Sequence, residues 1–325
     1  MDVLCIGEAL IDFVSRERGK TLVTATQYTA ATGGAPANVA AGLTKLDRHA
    51  RLIATVGADV FGQKILHDLQ GVGVDCALRY DDKHFTTLAF VKLGASGDRN
   101  FDFNAGAHDY LLPEQIRPED VRSARVLHYG SISLRHPLAR QATLKAIALA
   151  RESDVLTSCD PNWRPALWPD AASGRAAVRE AIAHADILKI SDADLAFAAP
   201  NTGDDYKAAL EAVGFQGRLA TVTLGREGAW YMVGEHVGQV SSPHVQVVET
   251  TGAGDAFTAA LLDGLLRHDL TIEALDEEAL QQIVQRACAA GALTTTGYGA
   301  IPSLPDAEGI EALLRMVSVG DGHAR

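Results

Sequence analysis

The sequence predicts an α/β fold: a doubly wound, mostly parallel sheet flanked by helices, with a small β-sheet lid. Two observations predict it. Between about residues 125 and 294, short apolar runs alternate with helix-length amphipathic segments, the pattern of parallel strands covered on both faces. Earlier in the chain, two polar or alternating segments interrupt that pattern and read as strands outside the core. Residues 1–12, 32–83 and 107–325 are therefore expected to form the core, and 13–31 with 84–106 the lid.

Val3-Leu4-Cys5-Ile6 is a buried-strand run closed by Gly7. Residues 13–31 are Thr-rich and charged with a turn near Gly19, which predicts two short exposed strands. Gly33-Gly34-Ala35-Pro36 opens a small-residue helix from Ala37 to Leu46, proline being suited to a first turn where its N–H is not needed. A second strand is expected over Arg51 to Val56 and an amphipathic helix over Phe61 to Gln70. Residues 85–103 alternate apolar and polar around Gly94-Ala95-Ser96-Gly97-Asp98, a hairpin signal. Further strands are expected at Val126–Tyr129, Val155–Cys159, Ile187–Ile190, Leu219–Leu224 and Val245–Val248, with a hairpin at 229–240. Helices are expected over 137–151, 171–184, 203–213, 254–267 and 280–294.

Composition narrows the function. A net charge of −12 repels phosphate backbones and argues against nucleic-acid binding. It does not exclude one anionic ligand, because backbone N–H groups act locally. Cys5, Cys76, Cys159 and Cys288 are far apart and form no CxxC pair, so free thiols in a reducing compartment are expected. The N-terminal segment has an acid at Asp2 and no basic region, unlike a signal peptide. No apolar run approaches the ~18 residues of a membrane span. The expectation is a cytoplasmic protein.

The chemistry concentrates at three places. Thr250-Thr251-Gly252-Ala253-Gly254-Asp255 lies between an apolar run and a helical one. Glycines there admit positive φ and close approach of a ligand, and the N–H groups and dipole of a helix start favour an anion. Asp255 beside a bound phosphate makes sense as a base that takes the proton of an attacking hydroxyl. An N-terminal cap is the competing reading. Gly33-Gly34-Ala35-Pro36-Ala37-Asn38 offers bare backbone plus an amide one turn in, which suits sugar hydroxyls; an ordinary loop-to-helix turn is the alternative. Asp160-Pro161-Asn162-Trp163-Arg164-Pro165 follows a strand, where α/β sheets bind ligands, or is a proline-rich turn. Asp12, taken alone, reads as a solvated surface acid. Gly252-Ala253-Gly254 carries Phe257 where a dinucleotide fingerprint needs a small residue, which argues against an NAD enzyme.

Together these segments resemble the ribokinase-like (PfkB) family of carbohydrate kinases, fructokinase-like branch. The first two match its signatures, and Val222-Thr223-Leu224-Gly225-Arg226-Glu227-Gly228-Ala229 resembles its nucleotide-binding strand and turn. The resemblance implies transfer of the γ-phosphoryl group of ATP to a sugar hydroxymethyl group. Asp255 is then the base, and the N–H groups of Gly252, Ala253 and Gly254 form the anion hole. Asp12, Gly33, Gly34, Asn38, Asn104 and Arg164 hold the sugar. Ser191, Thr223, Gly225 and Gly228 lie near the nucleotide. Mg²⁺ accompanies ATP and meets Asp194 through water. A structural K⁺ falls on Glu249, Thr251, Thr294, Gly297, Gly299 and Ser303. Glu249 stands where the family usually has Asp, and Asp194 where it has Glu.

Asp160 to Trp168 resembles both the fructokinase and the 2-keto-3-deoxygluconate kinase branches. Both often carry a Tyr-Arg pair where this chain has Phe103 and Asn104, and a missing Arg removes a partner for a sugar carboxylate. Fructose is the expected substrate, with 2-keto-3-deoxygluconate or ribose as alternatives. A non-catalytic sugar-binding regulator is the rival of another class. The lid predicts a homodimer.

Overall fold

The computed structural model describes residues 1–17, 19–93, 99–200 and 202–321; the glycine-rich turn expected at 94–98 lies outside them. The chain begins with β1 (Val3–Ile6), β2 (Leu10–Ser15), β3 (Tyr28–Gly33) and α1 (Ala35–Lys45). It continues through β4 (Ala50–Gly57), α2 (Val60–Gly71), β5 (Asp75–Asp81), β6 (Leu88–Leu93), β7 (Arg99–Asn104) and α3 (Pro118–Arg122). Strand–helix alternation follows: β8 (Val126–Tyr129), α4 (Pro137–Glu152), β9 (Leu156–Cys159), α5 (Ala171–Ala183), β10 (Ile187–Ser191), α6 (Asp192–Ala198), α7 (Tyr206–Ala212) and β11 (Leu219–Thr223). The hairpin β12 (Ala229–Val233) and β13 (His236–Val240) precedes α8 (Ala253–Arg267), α9 (Glu277–Thr294), α10 (Ala300–Ser303) and α11 (Ala307–Asp321).

Among the described residues, nine strands form one sheet in the order β13-β12-β11-β10-β9-β8-β1-β4-β5. It is parallel from β11 to β5, and the β12–β13 hairpin closes its edge antiparallel. Strand β1 is buried at all four positions because β4 and β8 flank it and helices cover both faces. Helices α1, α8 and α9 bury one face with Val39, Leu43, Leu261 and Val284; α4 and α5 bury the other with Ala146, Ile147 and Val178. A second sheet, β3-β2-β6-β7, is the lid.

Several expectations change. Val245–Val248 is not a strand: the N–H groups of Val248 and Glu249 both donate to the Thr295 carbonyl, so helix α9's end, not a sheet neighbour, takes that backbone. The expected exposed strands of 13–31 form earlier and later, as β2 and β3, and β2 is mostly buried. Strand β5 escapes detection because it pairs on one side only and carries Asp75, Arg79 and Asp81 in a half-exposed edge. Helices α6 and α11 are further elements beyond the periodic segments. All four cysteines are free, and among the described residues no helix is long and apolar enough to cross a membrane.

The parallel order aims the carboxyl ends of β1, β9, β10 and β11 to one side of the sheet, so Glu8, Asp160, Ser191 and Thr223 face a shared crevice. Helices α1 and α8 start on that side. They approach closely because both surfaces are small: a Cβ added to Gly42 would lie 2.8 Å from the Ala259 Cβ.

Candidate active site

Two cavities of about 370 Å³ each meet at the loop before α8, sharing Thr223, Gly225, Thr250 and Gly254. One is polar and runs under the lid, with Glu8, Asp12, Gly34, Asn38, Phe103, Arg164, Lys189 and Asp255 on its wall. The other is apolar, with Val245, Val247, Phe257, Cys288 and Ala292, and suits a flat heteroaromatic ring. A larger cavity of about 750 Å³ lies behind the lid between β3 and α2, but reaches none of these groups.

The α8 loop adopts the shape its glycines permit. Gly252 sits at φ +80°, in the left-handed region, and a Cβ there would lie 2.7 Å from that of Ala300. Asp255 is not a cap: α8 has no side-chain cap bond, and Asp255 lies in its first turn. Its Oδ2 instead accepts a 2.7 Å hydrogen bond from Asn38 Nδ2. The carboxyl is buried, and burial lifts its pKa to about 6. The Asn38 amide pulls it down, Asp160 pushes it up, and Lys189 and Arg164 pull it down. A carboxyl tuned to that range can be ionised near neutrality yet accept a proton.

The sugar-side expectations divide. Asp12 is buried and lines the polar cavity, correcting its reading as a solvated surface acid. Gly34, at φ +104°, lines the cavity too, and a Cβ would lie 2.5 Å from the Glu8 carbonyl. Gly33 does not; a Cβ there would collide with Asp12 Oδ2 at 2.1 Å, so its bareness makes room for that acid. Arg164 lines the cavity, held by a bond from its Nη1 to the Trp163 carbonyl. Trp163 is itself stacked on Phe197 at 3.6 Å between ring centroids. Asn104 is a correction: it is exposed and off the cavity, whereas Phe103 faces in, because neighbours on a strand point to opposite faces.

On the nucleotide side, Ser191 caps α6 by accepting from the Asp194 N–H at 3.1 Å. Thr223 pairs with Ser191 across β10 and β11. Gly225 (φ +57°) and Gly228 (φ +110°) turn the chain from β11 into β12, and a Cβ on Gly228 would overlap the Val240 carbonyl. Asp194 lines the polar cavity, and its Oδ2 accepts from the Trp163 N–H at 3.3 Å. The residues expected to surround K⁺ lie together. Glu249 accepts from the Thr251 hydroxyl and, at 2.9 Å, from the Gly299 N–H. Gly297 abuts the Ser303 hydroxyl, and Thr294 abuts Gly252.

Two wall residues escaped sequence reasoning. Lys189, 6% exposed, donates to Asp160 Oδ2 at 2.8 Å. A lysine inside the apolar run Ile187-Leu188-Lys189-Ile190 was the available signal. Glu8 follows β1; its Oε1 accepts from the Ala35 N–H at 3.2 Å, while its Oε2 is buried without a partner. Burial raises its pKa to about 7, against the backbone N–H groups of Glu8 and Ala35, with Asp255 adding to the rise and Arg164 opposing it.

A buried carboxyl at a glycine-rich helix start, between a polar cavity and an apolar one, suits phosphoryl transfer. Over residues 1–307 the chain matches the profile described as pfkB family carbohydrate kinase, and it belongs to that family. It is 39% identical to fructokinase-2 of Solanum lycopersicum over 316 residues, 96% of each chain. Its fold matches a fructokinase with bound ATP from Xylella fastidiosa at a TM-score of 0.87 and 27% identity, covering 98% of this chain and 99% of that one. It also matches a double mutant of Vibrio cholerae fructokinase in a fructose-, ADP- and potassium-bound form, at a TM-score of 0.83 and 30% identity, covering 96% and 98%. The chain is a sugar phosphotransferase.

The Asn38 amide stabilises the ionised form of Asp255, whose raised pKa puts its titration near 6. Activity therefore rises with pH through about 6 as the carboxyl ionises. Asn38→Ala moves that limb to higher pH, read from kcat/KM between pH 5 and 9; a limb that stays put or moves to lower pH contradicts the assignment.

Proposed function

We propose that the chain transfers the γ-phosphoryl group of ATP to the hydroxymethyl group of fructose. The observation that carries this reading is the buried Asp255 carboxyl at the junction of a polar and an apolar cavity. The sugar lies in the polar cavity against Asp12, Gly34, Asn38 and Arg164, and the nucleotide runs past Ser191, Thr223, Gly225 and Gly228. Asp255 takes the hydroxymethyl proton, and the N–H groups of Gly252 and Gly254 face the phosphoryl oxygens; the Ala253 N–H, expected to join them, donates instead to the Thr250 carbonyl at 3.3 Å.

Charge supports a neutral sugar. Glu8, Asp12 and Asp255 face the polar cavity against the single guanidinium of Arg164 and the Asp160-paired Lys189, so a sugar carboxylate meets net repulsion. Arg164 is the one feature that favours 2-keto-3-deoxygluconate.

Asp194 suits Mg²⁺ held through water, since Mg²⁺ usually keeps waters and takes one or two carboxylates beside the substrate phosphates. Among the described residues no cluster of three acidic, His or Cys side chains offers a direct cage. Bound there, Mg²⁺ neutralises phosphate charge. The Glu249 carboxylate and the hydroxyls of Thr251 and Ser303 would supply the all-oxygen chemistry that K⁺ takes, whereas Thr294 turns its hydroxyl to the Ala290 carbonyl and its methyl toward Gly252. In the lid, Phe13 stacks on Phe90 at 5.5 Å and meets Phe61 of α2 edge-on at 5.7 Å, so this aromatic face packs within its own chain, and the homodimer rests on the family resemblance of the lid alone.

An assay with ATP and Mg²⁺ over fructose, 2-keto-3-deoxygluconate and ribose is expected to give the highest kcat/KM with fructose and a rise with added K⁺. Asp255→Asn lowers kcat by about 1,000-fold or more while fructose still binds by calorimetry. Preference for the keto-acid transfers the site to that substrate, and substantial activity in the Asn variant removes Asp255 as base. Light scattering is expected to report twice the monomer mass; the monomer mass overturns the dimer.

A further inference from the structure

We propose that Lys189 is a catalytic residue of the phosphoryl transfer, its ammonium stabilising the negative charge on the phosphoryl group in flight. This rests on the kinase reading but not on which sugar is the acceptor. Lys189 sits at the centre of β10 (Ile187–Ser191), beside the first turn of α8. A Cβ added to Gly254 would lie 2.7 Å from its Nζ, so the glycine leaves the space the ammonium occupies. The cation thus adjoins the N–H groups facing the phosphoryl oxygens, and its Coulomb field also reaches Asp255.

Asp160, just past the carboxyl end of the neighbouring strand β9, holds Lys189 in place. Its Oδ2 accepts from Nζ at 2.8 Å, while its buried Oδ1 has no partner. Burial lowers the ammonium pKa, but the charge and hydrogen bond of Asp160, together with the charges of Asp255 and Asp194, raise it above the ordinary value. The lysine stays charged in a dry wall. A buried ion pair is seldom needed for stability, since apolar residues of similar volume serve as well. Here it places a preorganised cation among acids that would otherwise repel a phosphate. One N–H of the ammonium is engaged by Asp160, and the other two are available to phosphoryl oxygens.

The step balances. The hydroxymethyl oxygen forms the new O–P bond as the bond from the γ-phosphorus to the bridging oxygen breaks. Asp255 takes the hydroxyl proton, and the electron pair leaves with the nucleoside diphosphate. Lys189 keeps its proton and acts on the equatorial oxygens, where charge is greatest in transit.

The test compares Lys189→Met, Lys189→Arg and the double variant Lys189→Met with Asp160→Asn, on whichever sugar the wild-type enzyme turns over. Lys189→Met is expected to lower kcat about 100- to 1,000-fold with sugar KM changed less than about threefold. Lys189→Arg retains more kcat than Lys189→Met. The double variant leaves no unpaired buried charge, so its melting temperature returns toward wild type while kcat stays low. Recovery of kcat in the double variant, or a loss under tenfold in Lys189→Met, makes the pair structural and overturns the proposal. A wild type that prefers a sugar other than fructose overturns the substrate assignment and leaves this comparison intact.

Discussion

Helix α1 crosses helix α8 with almost nothing between them, and the site depends on that approach. Gly42 admits Ala259 where any side chain would force the helices apart, since a Cβ at Gly42 would stand 2.8 Å from the Ala259 Cβ. Because α1 begins at the lid and α8 at the glycine loop, their contact brings Gly34 and Asn38 against Gly252 and Asp255. The bond from Asn38 to Asp255 spans 217 residues of sequence and joins them at 2.7 Å. Opening the crossing would draw the amide from the carboxylate and leave a buried acid with less support for its charge.

Electrostatics then follows from burial. Water is largely excluded, so interactions among the wall residues are stronger than at a surface. Asp255 is pushed up to about 6 and Glu8 to about 7, chiefly by loss of solvent. Arg164 and Lys189 oppose the accumulation of negative charge, and Asp160 keeps Lys189 aligned. The neighbouring apolar cavity carries no such cluster and can take a nucleobase.

What the sequence makes legible is local. The stretch from Thr250 to Asp255 and the stretch from Gly33 to Asn38 each sit on one turn of chain, so residue types and spacing expose their chemistry. The alternation of apolar runs and helices exposes the parallel sheet for the same reason. Long-range partnerships stay hidden. Asp160 and Lys189 meet across adjacent strands, and no spacing rule links residues 29 apart. Whether Phe103 or Asn104 faces the cavity depends on the register of β7, which the hairpin pattern does not set. Val245–Val248 has the apolar composition of a strand, but the Val248 N–H donates to the Thr295 carbonyl at the end of α9 instead of a sheet neighbour. Asp12 looks solvated until the lid's pairing buries it.

Burial, moderated by Asn38, lifts the Asp255 carboxyl well above its ordinary range. The most direct measurement is the carboxyl titration of Asp255 in the substrate-free protein, followed by ¹³C NMR with Asp255→Asn to assign the resonance. A midpoint at about 6 is expected. A midpoint at the ordinary carboxylate value of 3.8 would contradict it.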